Sequence, residues 1–431
     1  MKFTVRLAIL GLACSLAGIV SSCSHPQGSA SNYSESSGAY SDSQSGSPSS
    51  ATLPQPASPA NGWNEASAAA YLDQRAAWWV QWRGAARDHG TFCISCHTTV
   101  PYILAQPVLR ANLNQPGLSP NETSILDNVS KRVRLWKDVA PYYSDTRFYT
   151  NHAAGSRATE AVLNALVLSA RDAQAGHLGG DTRTAFENLW ALQLTSGGDK
   201  GAWMWQEFNL LPWEEKGSEY YGAALAAIAV GIAPDNYRST PSIQGNVQLL
   251  RGYLLRDYAS QSLLNQTFLL LASAKLPGLL TPAQQKSIVD QLSHKQQSDG
   301  GWSLSSLVGH WRGLTPSTLY ALVDRREDGT PQVEHSDGDA TAMITYAMQQ
   351  VGIPRDNPHL QRGLDWLLSH QNPIDGSWTA YSLNRQRDLT SNIGRFMSDE
   401  ATGYAVLSLT QAGIKPAAAA VSQARATPPA P

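Results

Sequence analysis

Five alanine-rich segments that are apolar on every side constrain the fold of this chain more than any other feature. They begin at Ser156, Glu219, Asn265, Asp337 and Ser398. A helix that is apolar all round has no face to give to water, so it must be buried. Alanine also lets neighbouring helices approach closely. Since strand-like alternation is scarce, we predict an all-α protein with these segments at its centre.

Amphipathic segments lie between the apolar ones, and three of them end in a glutamine that is followed by glycine and tryptophan. The units are Gln371…Trp378, Gln297…Trp302 and Gln193…Trp203. They recur at an irregular spacing of about 45 to 75 residues, which is typical of repeat architectures. Alternating amphipathic and fully apolar helices predict two layers, with outer helices shielding inner ones.

These units resemble the QW repeats of the squalene–hopene cyclase superfamily, which includes the oxidosqualene cyclases and the protein prenyltransferase β subunits. The resemblance covers residues 156–413 and implies an α/α toroid of concentric helices, preceded by an N-terminal helical extension. In that family the glutamine caps and the tryptophan stacks, which fastens one outer helix to the next. The resemblance therefore implies structural roles for Gln297, Trp302, Gln371 and Trp378.

The resemblance also implies a catalytic acid. Family cyclases protonate an alkene with the middle aspartate of an Asp-x-Asp-Asp-Thr-Ala motif, and residues 337–342 here are Asp-Gly-Asp-Ala-Thr-Ala. The match puts Asp339 at the proton-donor position with Asp337 beside it, while Ala340 replaces the third aspartate. Such chemistry needs a pre-organised acid in a dry pocket, with aromatic faces that stabilise a carbocation.

A structural interpretation of the same residues stays open. Ser336 and Asp339 form a Ser-x-x-Asp helix start, which is closely related to a capping box. Carboxylates in a first helical turn also favour the helix dipole. The run Ser398-Asp399-Glu400 repeats this pattern one unit later. Asp337 and Asp339 are therefore candidates both for capping and for acid catalysis.

Three features depart from the family. Full cyclases enclose their substrate between two α/α barrels, whereas this chain has room for one. They act at the cytosolic side of the membrane, whereas this chain carries an export signal. No cysteine follows Cys96, so the zinc ligands of the protein prenyltransferases do not appear. We expect a terpene cyclase or mutase-type isomerase, or a degenerate relative that binds a hydrophobic ligand without catalysis.

The segment Cys93-Ile94-Ser95-Cys96-His97 is a Cys-x-x-Cys-His motif, which in an exported chain predicts covalent attachment of haem c. Cys93 and Cys96 would form the thioether bonds and His97 would bind the iron, as in an electron-transfer protein. A Cys93–Cys96 disulfide and a different metal are the alternatives. The candidates for a sixth iron ligand are His89, His152 and Met204, and a five-coordinate iron is the remaining option.

An aromatic cluster in one repeat is a candidate lining for a ligand cavity. It consists of Trp203, Trp205, Trp213 and Tyr220, which Tyr221 and the carboxylates Glu214, Glu215 and Glu219 accompany. Aromatic side chains beside carboxylates suit a hydrophobic or cationic ligand. The alternative is a long loop between helices that its tryptophans pin to the core. Trp78, Trp79 and Trp82 lie on an earlier predicted helix, where packing is the favoured role.

The N-terminus has the pattern of a bacterial lipoprotein signal. Lys2 and Arg6 precede an apolar stretch that is too short for an ordinary membrane-spanning helix. It ends in Val-Ser-Ser-Cys, which resembles a lipobox with Cys23 as the lipidated residue. Ser24 follows, which in such lipoproteins indicates sorting to the outer membrane, facing the periplasm. An ordinary secretory signal is the alternative.

The remaining boundaries follow from composition. Residues 1–22 form the predicted signal peptide, and residues 23–60, with thirteen serines beyond Cys23, form a predicted disordered tether. Residues 61–150 are assigned to the helical extension that carries the Cys-x-x-Cys-His motif, and residues 151–413 to the toroid. Residues 414–431 are rich in alanine and proline, which predicts a disordered tail.

Charge and composition exclude one class of partner. The chain has 32 basic and 34 acidic residues, and removal of the signal peptide takes away Lys2 and Arg6. A mildly acidic protein does not attract a phosphate backbone, so nucleic acid is not expected as a partner. A membrane, reached through the lipid anchor, and a hydrophobic small molecule are expected. A binding toroid for a lipid, glycan or protein is the third functional hypothesis.

Overall fold

The computed structural model describes residues 62–147, 150–256, 258–308 and 326–416. The predicted signal peptide, the lipidation site Cys23, the tether up to residue 61 and the tail from residue 417 lie outside these residues. The described part belongs to one compact unit. Within it, no helix combines the length and the apolar character that crossing a membrane requires.

The fold is all-α, as predicted, with one short hairpin as its only sheet in the described residues. The hairpin pairs β1 (Ala86–Arg87) with β2 (Thr91–Phe92). The helices are α1 (Glu65–Gln81), α2 (Thr99–Asn112), α3 (Pro120–Arg134), α4 (His152–Ala175), α5 (Gly180–Ala191), α6 (Glu219–Ile232), α7 (Gln244–Arg256), α8 (Leu263–Lys275), α9 (Pro282–Lys295), α10 (Gly338–Gln350), α11 (Pro358–Ser369) and α12 (Phe396–Gln411).

Side-chain caps fix where many of these helices begin. Ser119 caps α3 and Thr281 forms a full capping box with Gln284 at the start of α9. Both are followed by proline at the first helical position, where the missing N–H has no cost. Asn64 and Asn357 cap α1 and α11 in the same way. The sequence therefore specifies these boundaries locally, before any packing.

Burial separates the helices into two sets that alternate along the chain. Twelve of the fourteen residues of α6 are buried, whereas only three of the fourteen residues of α9 are. We call α2, α4, α6, α8, α10 and α12 the inner helices, and the odd-numbered helices the outer helices. The five predicted apolar segments supply the inner helices from α4 to α12.

The inner helices contact one another in sequence. Each of them, from α2 to α12, packs against the next inner helix, and α12 also packs against α2. Each outer helix packs on the inner helix beside it in the chain. Helices α1, α2 and α3, which the sequence assigned to an extension, thus contact α4 and α12 directly.

Each glutamine–tryptophan unit joins two outer helices. The indole N–H groups of Trp203, Trp302 and Trp378 donate to carbonyl oxygens of the helix that precedes them, at 2.7, 2.7 and 2.8 Å. The Gln371 amide reaches forward, donates to Asn64 O at 2.9 Å and accepts from Asn64 N at 2.7 Å. The unit after α11 is therefore bound to the start of α1.

The prediction for the middle unit was wrong by one residue. Gln296 makes the contacts expected of Gln297, because its amide donates to Gly300 O and to His359 O, both at 2.8 Å. Gln297 instead donates to Glu334 O. Helix α9 ends at Lys295, so Gln296 is its C-cap and points toward the start of α11.

The glycine of each unit is required by close approach. Gly201, Gly300 and Gly376 all have positive φ, at 102°, 96° and 79°. A Cβ on Gly376 would lie 2.4 Å from the carbonyl carbon of Ser67, and one on Gly201 would lie 2.1 Å from Leu249 O. Only glycine allows this backbone conformation with a neighbouring helix so near.

Candidate functional site

Asp337 is the N-cap of α10. One of its carboxylate oxygens accepts from Asp339 N at 3.0 Å and Ala340 N at 2.9 Å, and the other accepts from Leu304 N at 2.6 Å. Burial nevertheless raises the pKa of Asp337 to about 6. The prediction of Ser336 as the cap is wrong, because its hydroxyl lies outside the helix start and donates to Asp299.

Asp339 lies in the first turn of α10 and has a different environment. Its side chain is fully buried, and neither carboxylate oxygen has a hydrogen-bond partner among the described residues. Burial, and then the charge of Asp337, hold the pKa of Asp339 well above its usual range. A buried carboxyl without donors is stable only in its protonated form.

Glu400 on α12 is the neighbour that titrates with Asp339. It is 1% exposed, and its Oε2 has no hydrogen-bond partner in the described part of the chain. Burial and the charge of Asp339 raise the pKa of Glu400 well above normal. Repulsion between the two buried carboxylates favours a state in which at least one of the two groups keeps its proton.

Asp339 and Glu400 occupy equivalent positions in successive repeats. Two residues after each lies a threonine, and these threonines accept from the backbone N–H of the two unit tryptophans. The distances are 2.9 Å for Trp302 to Thr341 and 3.1 Å for Trp378 to Thr402. Asp339 and Glu400 therefore have the same position relative to these tryptophan contacts, on two helices that pack against each other.

Aromatic rings fill the space that the later inner helices share. Tyr221 of α6 meets Phe268 of α8 edge-on at a centroid distance of 4.7 Å, and Phe268 lies 6.4 Å from Tyr404 of α12. Tyr346 of α10 lies 6.1 Å from Tyr404. Burial, and then the charges of Glu400 and, more weakly, Asp339, raise the pKa of Tyr404 well above its usual range. An acid pair next to aromatic faces can protonate an alkene and stabilise the cation.

The predicted aromatic cluster divides into two parts. Trp203 donates to Leu189 O, and the Tyr220 hydroxyl donates to Leu254 O at 2.6 Å, so both hold outer helices. Trp205 meets Tyr221 edge-on at 5.7 Å, and Trp213 lies 6.3 Å from the same ring. Trp205 and Trp213 thus support an aromatic set of Tyr221, Phe268, Tyr346 and Tyr404, of which the sequence analysis named only Tyr221.

Cys93 and Cys96 are free thiols in the segment that enters α2. Cys93 is buried, whereas Cys96 keeps some accessible surface beside the Tyr221 hydroxyl. Burial raises the pKa of both thiols, and the Glu214 carboxyl is close enough to add to the shift. Burial also raises the pKa of Glu214 to about 7.

His97 is held in one tautomer by its neighbours. Its Nδ1 lies 3.0 Å from the Thr98 hydroxyl, and this hydroxyl donates to Asp399 at 2.7 Å. Because the only hydroxyl hydrogen goes to Asp399, Nδ1 of His97 must carry a proton and donate. Nε2 is then an unprotonated acceptor, and it has no partner among the described residues. Burial, and then the Arg75 charge, lower the pKa of His97 to about 3.

Aromatic rings and a buried ion pair fix the position of His97. The imidazole stacks on Phe396 at 4.2 Å and meets Trp79 edge-on at 5.5 Å. Asp399 also accepts from Arg75 Nε at 2.7 Å, and both partners are buried. Trp79 therefore contacts the motif as well as the core, whereas sequence reasoning favoured packing and kept a cofactor contact as the alternative.

The three residues predicted as a sixth iron ligand contact other protein groups. Nε2 of His152 lies 2.9 Å from Glu207 O, and His89 is an exposed residue beside Asp88. Met204 is half-buried and packs on the core. Within the described residues, no group of three or more histidine, cysteine, aspartate or glutamate side chains is arranged to hold a metal ion.

Sequence reasoning missed Glu400 although a signal was present. Both helix starts contain an acid followed by Ala-Thr, namely Asp339-Ala-Thr and Glu400-Ala-Thr. We interpreted the second as a repeated cap. Because the repeats are equivalent, this pattern could have marked Glu400 as the counterpart of Asp339 on the neighbouring inner helix.

Comparison with known proteins identifies no family for this chain. No protein-family model matches the chain. No curated protein matches it either. Its function therefore has to be inferred from the residues described above.

Proposed function

We propose that the six inner helices close into an α/α toroid of the squalene–hopene cyclase type. Support comes from the uninterrupted series of contacts from α2 to α12 and back to α2. It also comes from Gln371, which links the last outer helix to the first. In this proposal residues 61–150 are the first part of the toroid and not an extension to it.

The toroid is proposed to isomerise a hydrophobic alkene by acid catalysis. The observation that carries this is Asp339, a fully buried carboxyl whose two oxygens have no partner in the described residues. Its proton passes to one alkene carbon, the π electrons form the new C–H bond, and a carbocation results. Loss of a proton from that cation to the acid pair restores the enzyme and gives an isomer of the substrate.

The aromatic set has a defined part in this chemistry. Tyr221, Phe268, Tyr346 and Tyr404 present π faces near the acids, and such faces attract a cation. Burial keeps water away, which prevents capture of the cation as an alcohol. The family motif has a third aspartate where this chain has Ala340. In this proposal Glu400 takes the place of that aspartate, because it supplies a second carboxyl beside Asp339.

The test is incubation of the purified protein with squalene and with farnesol, followed by mass analysis for isomers. Wild type should form a product of unchanged mass, and Asp339→Asn should abolish it while circular dichroism shows the same helix content. Asp365→Asn, an exposed acid on α11, is the matched control and should retain turnover. If wild type converts neither compound, the non-catalytic binding toroid becomes the better description.

A second candidate function is supported by the state of His97. A neutral imidazole with Nδ1 donating and Nε2 free is what an axial ligand of iron requires. Cys93 and Cys96 are free thiols next to it, so these residues fit haem c: they would form the thioether bonds and His97 would bind the iron. The haem would supply one-electron transfer. Periplasmic expression with haem-maturation machinery should then give a Soret band, and a colourless protein would contradict this function.

The cellular location is proposed from the N-terminal pattern. Cys23, which lies outside the described residues, would carry the lipid that anchors the chain in the outer membrane, facing the periplasm. Labelled palmitate should be incorporated by wild type in cells and not by Cys23→Ala. A membrane, reached through this anchor, and a hydrophobic small molecule are the proposed partners.

A further inference from the structure

A cavity of about 340 Å³ lies beside the start of α10 and is lined by two arginines. Arg326 and Arg387 form its charged side, and Pro331, Val333 and Leu389 form its apolar side. Tyr381 also lines it and lies near Asp337, whose charge adds to the rise in the pKa of Tyr381. Thr379, two residues before Tyr381, accepts from Gly338 N at 2.8 Å, so the cavity lies near the start of α10.

Arg326 is a buried cation that forms no ion pair with the described residues. It is 8% exposed, and its guanidinium donates to Ser382 O and to Pro331 O, both at 2.8 Å. Nη2 makes no hydrogen bond within the described residues, and Arg326 forms no ion pair there. Carbonyl oxygens orient the guanidinium, and the charge of Asp328 acts on it without a direct contact, so an anion in the cavity would be favoured.

Arg387 faces the same cavity with all its donors available. It is half-buried and has no hydrogen bond or ion pair to any described residue. The nearby carboxylates are already engaged. Glu327 pairs with Arg385 at 3.7 Å, and Asp328 accepts from Thr330 N at 3.0 Å and from Gln386 N at 2.7 Å. Two cations therefore share one cavity, and the charges of Asp328 and Glu327 act on them without a direct contact.

We propose that this cavity binds the anionic headgroup, phosphate or carboxylate, of an amphiphilic substrate. The guanidinium groups of Arg326 and Arg387 would bind the oxygens, as arginine commonly does with both groups. The apolar wall would receive the first part of the tail. This rests on the proposed function, and it narrows the substrate from any hydrophobic alkene to one with a charged end.

The test compares charged and neutral probes of equal chain length on the purified full chain. Farnesyl phosphate against farnesol, and palmitate against hexadecanol, are titrated by tryptophan fluorescence. We expect at least one charged probe to bind ten-fold or more tightly than its neutral partner, since a charge-assisted hydrogen bond is typically worth that much. The pair with the larger ratio identifies phosphate or carboxylate as the headgroup.

Matched variants locate the effect. Arg387→Gln should bring the affinities of the charged and the neutral probe to within about two-fold of each other, since one charged contact is lost. Arg385→Gln, whose arginine is paired with Glu327 and does not line the cavity, should retain it. Arg387→Lys keeps the positive charge and should retain most of the affinity ratio. Equal binding of charged and neutral probes by wild type, or an unchanged ratio in Arg387→Gln, would overturn the proposal.

The outcome is independent of catalysis. Asp339→Asn leaves the cavity intact and should show the wild-type ratio even where turnover is lost. If the charged probes bind in this way but no isomer forms from any of them, the headgroup site stands and the proposed catalytic function fails. If squalene is isomerised but the ratio is close to one, the catalytic function stands and the headgroup site fails.

Discussion

At the scale of single residues, three acids near the start of α10 and α12 have distinct environments that composition alone does not reveal. Asp337 has three backbone donors, whereas Asp339 and Glu400 lack partners for three of their four oxygens within the described residues. Backbone donors stabilise an anion, and their absence stabilises a protonated carboxyl. The same short motif thus supplies a helix cap and an acid.

Glu214 provides a pH prediction at this scale. Burial raises its pKa from 4.5 to about 7, so the folded state binds its proton more tightly than the unfolded state does. The contribution of Glu214 to stability is therefore complete below pH 4.5 and is lost as pH rises through 7. Relative to wild type, Glu214→Gln should gain about 1–3 kcal/mol in free energy of unfolding between pH 5 and pH 8.

The measurement is urea unfolding of both proteins at a series of pH values. His97 has the opposite sign, because its lowered pKa makes the protein less stable as pH falls, but it is common to both proteins and cancels. A difference between the two proteins that does not change with pH would show that Glu214 titrates normally.

The sequence singled out Asp339 as a candidate but could not assign its environment. A Ser-x-x-Asp pattern and an Asp N-cap differ by one residue, and only the backbone geometry of Asp337 separates them. Glu400 could have been predicted from the repeat. The tautomer of His97 could not, because it depends on Thr98 and on Asp399, which lies 301 residues further along the chain than Thr98.

At the scale of elements, the inner helices from α4 onward were predictable because their segments are apolar all round. The start of α9 was also predictable, from Thr281 and Pro282. The hairpin of β1 and β2 was not, since each strand has only two residues and no alternation. Which of Gln296 and Gln297 caps α9 depends on the residue at which α9 ends. Helix ends are difficult to assign to within one or two residues.

Gln371 tests the joint between elements. Its amide makes three hydrogen bonds, to Asn64 N, Asn64 O and Gly376 O, and it is buried. Gln371→Ala leaves these groups unpaired, so we expect a loss of roughly 2–3 kcal/mol in the free energy of unfolding. Gln361→Ala, at an exposed position on α11, is the control and should change stability by less than about 0.5 kcal/mol. Urea unfolding measures both, and equal effects would show that the joint contributes nothing.

At the scale of the whole molecule, contacts between the two ends of the described chain determine the architecture. Arg75 pairs with Asp399, Asn64 with Gln371, and the Trp63 indole donates to Ile414 O at 3.1 Å. No local pattern predicts contacts between segments so far apart in the chain. For this reason the sequence treated residues 61–150 as an addition, whereas α2 packs between α12 and α4.

Truncation tests whether the first three helices belong to the toroid. A chain that begins at Asn151 lacks α1, α2 and α3, so α12 and α4 lose the helix between them. We expect it to lose cooperative thermal unfolding and to bind hydrophobic dyes, because a large apolar surface is exposed. A sharp unfolding transition for residues 151–416 would contradict the closed toroid and support a separate extension.

The central claim is that this all-α fold keeps a carboxylic acid protonated at neutral pH between its inner helices. Infrared difference spectroscopy of the protonated carboxyl C=O stretch tests this directly, with wild type compared against Asp339→Asn and Glu400→Gln at pH 7. We predict a protonated carboxyl band in wild type that Asp339→Asn removes or shifts and that Glu400→Gln perturbs. A spectrum at pH 7 that neither substitution alters would contradict the account.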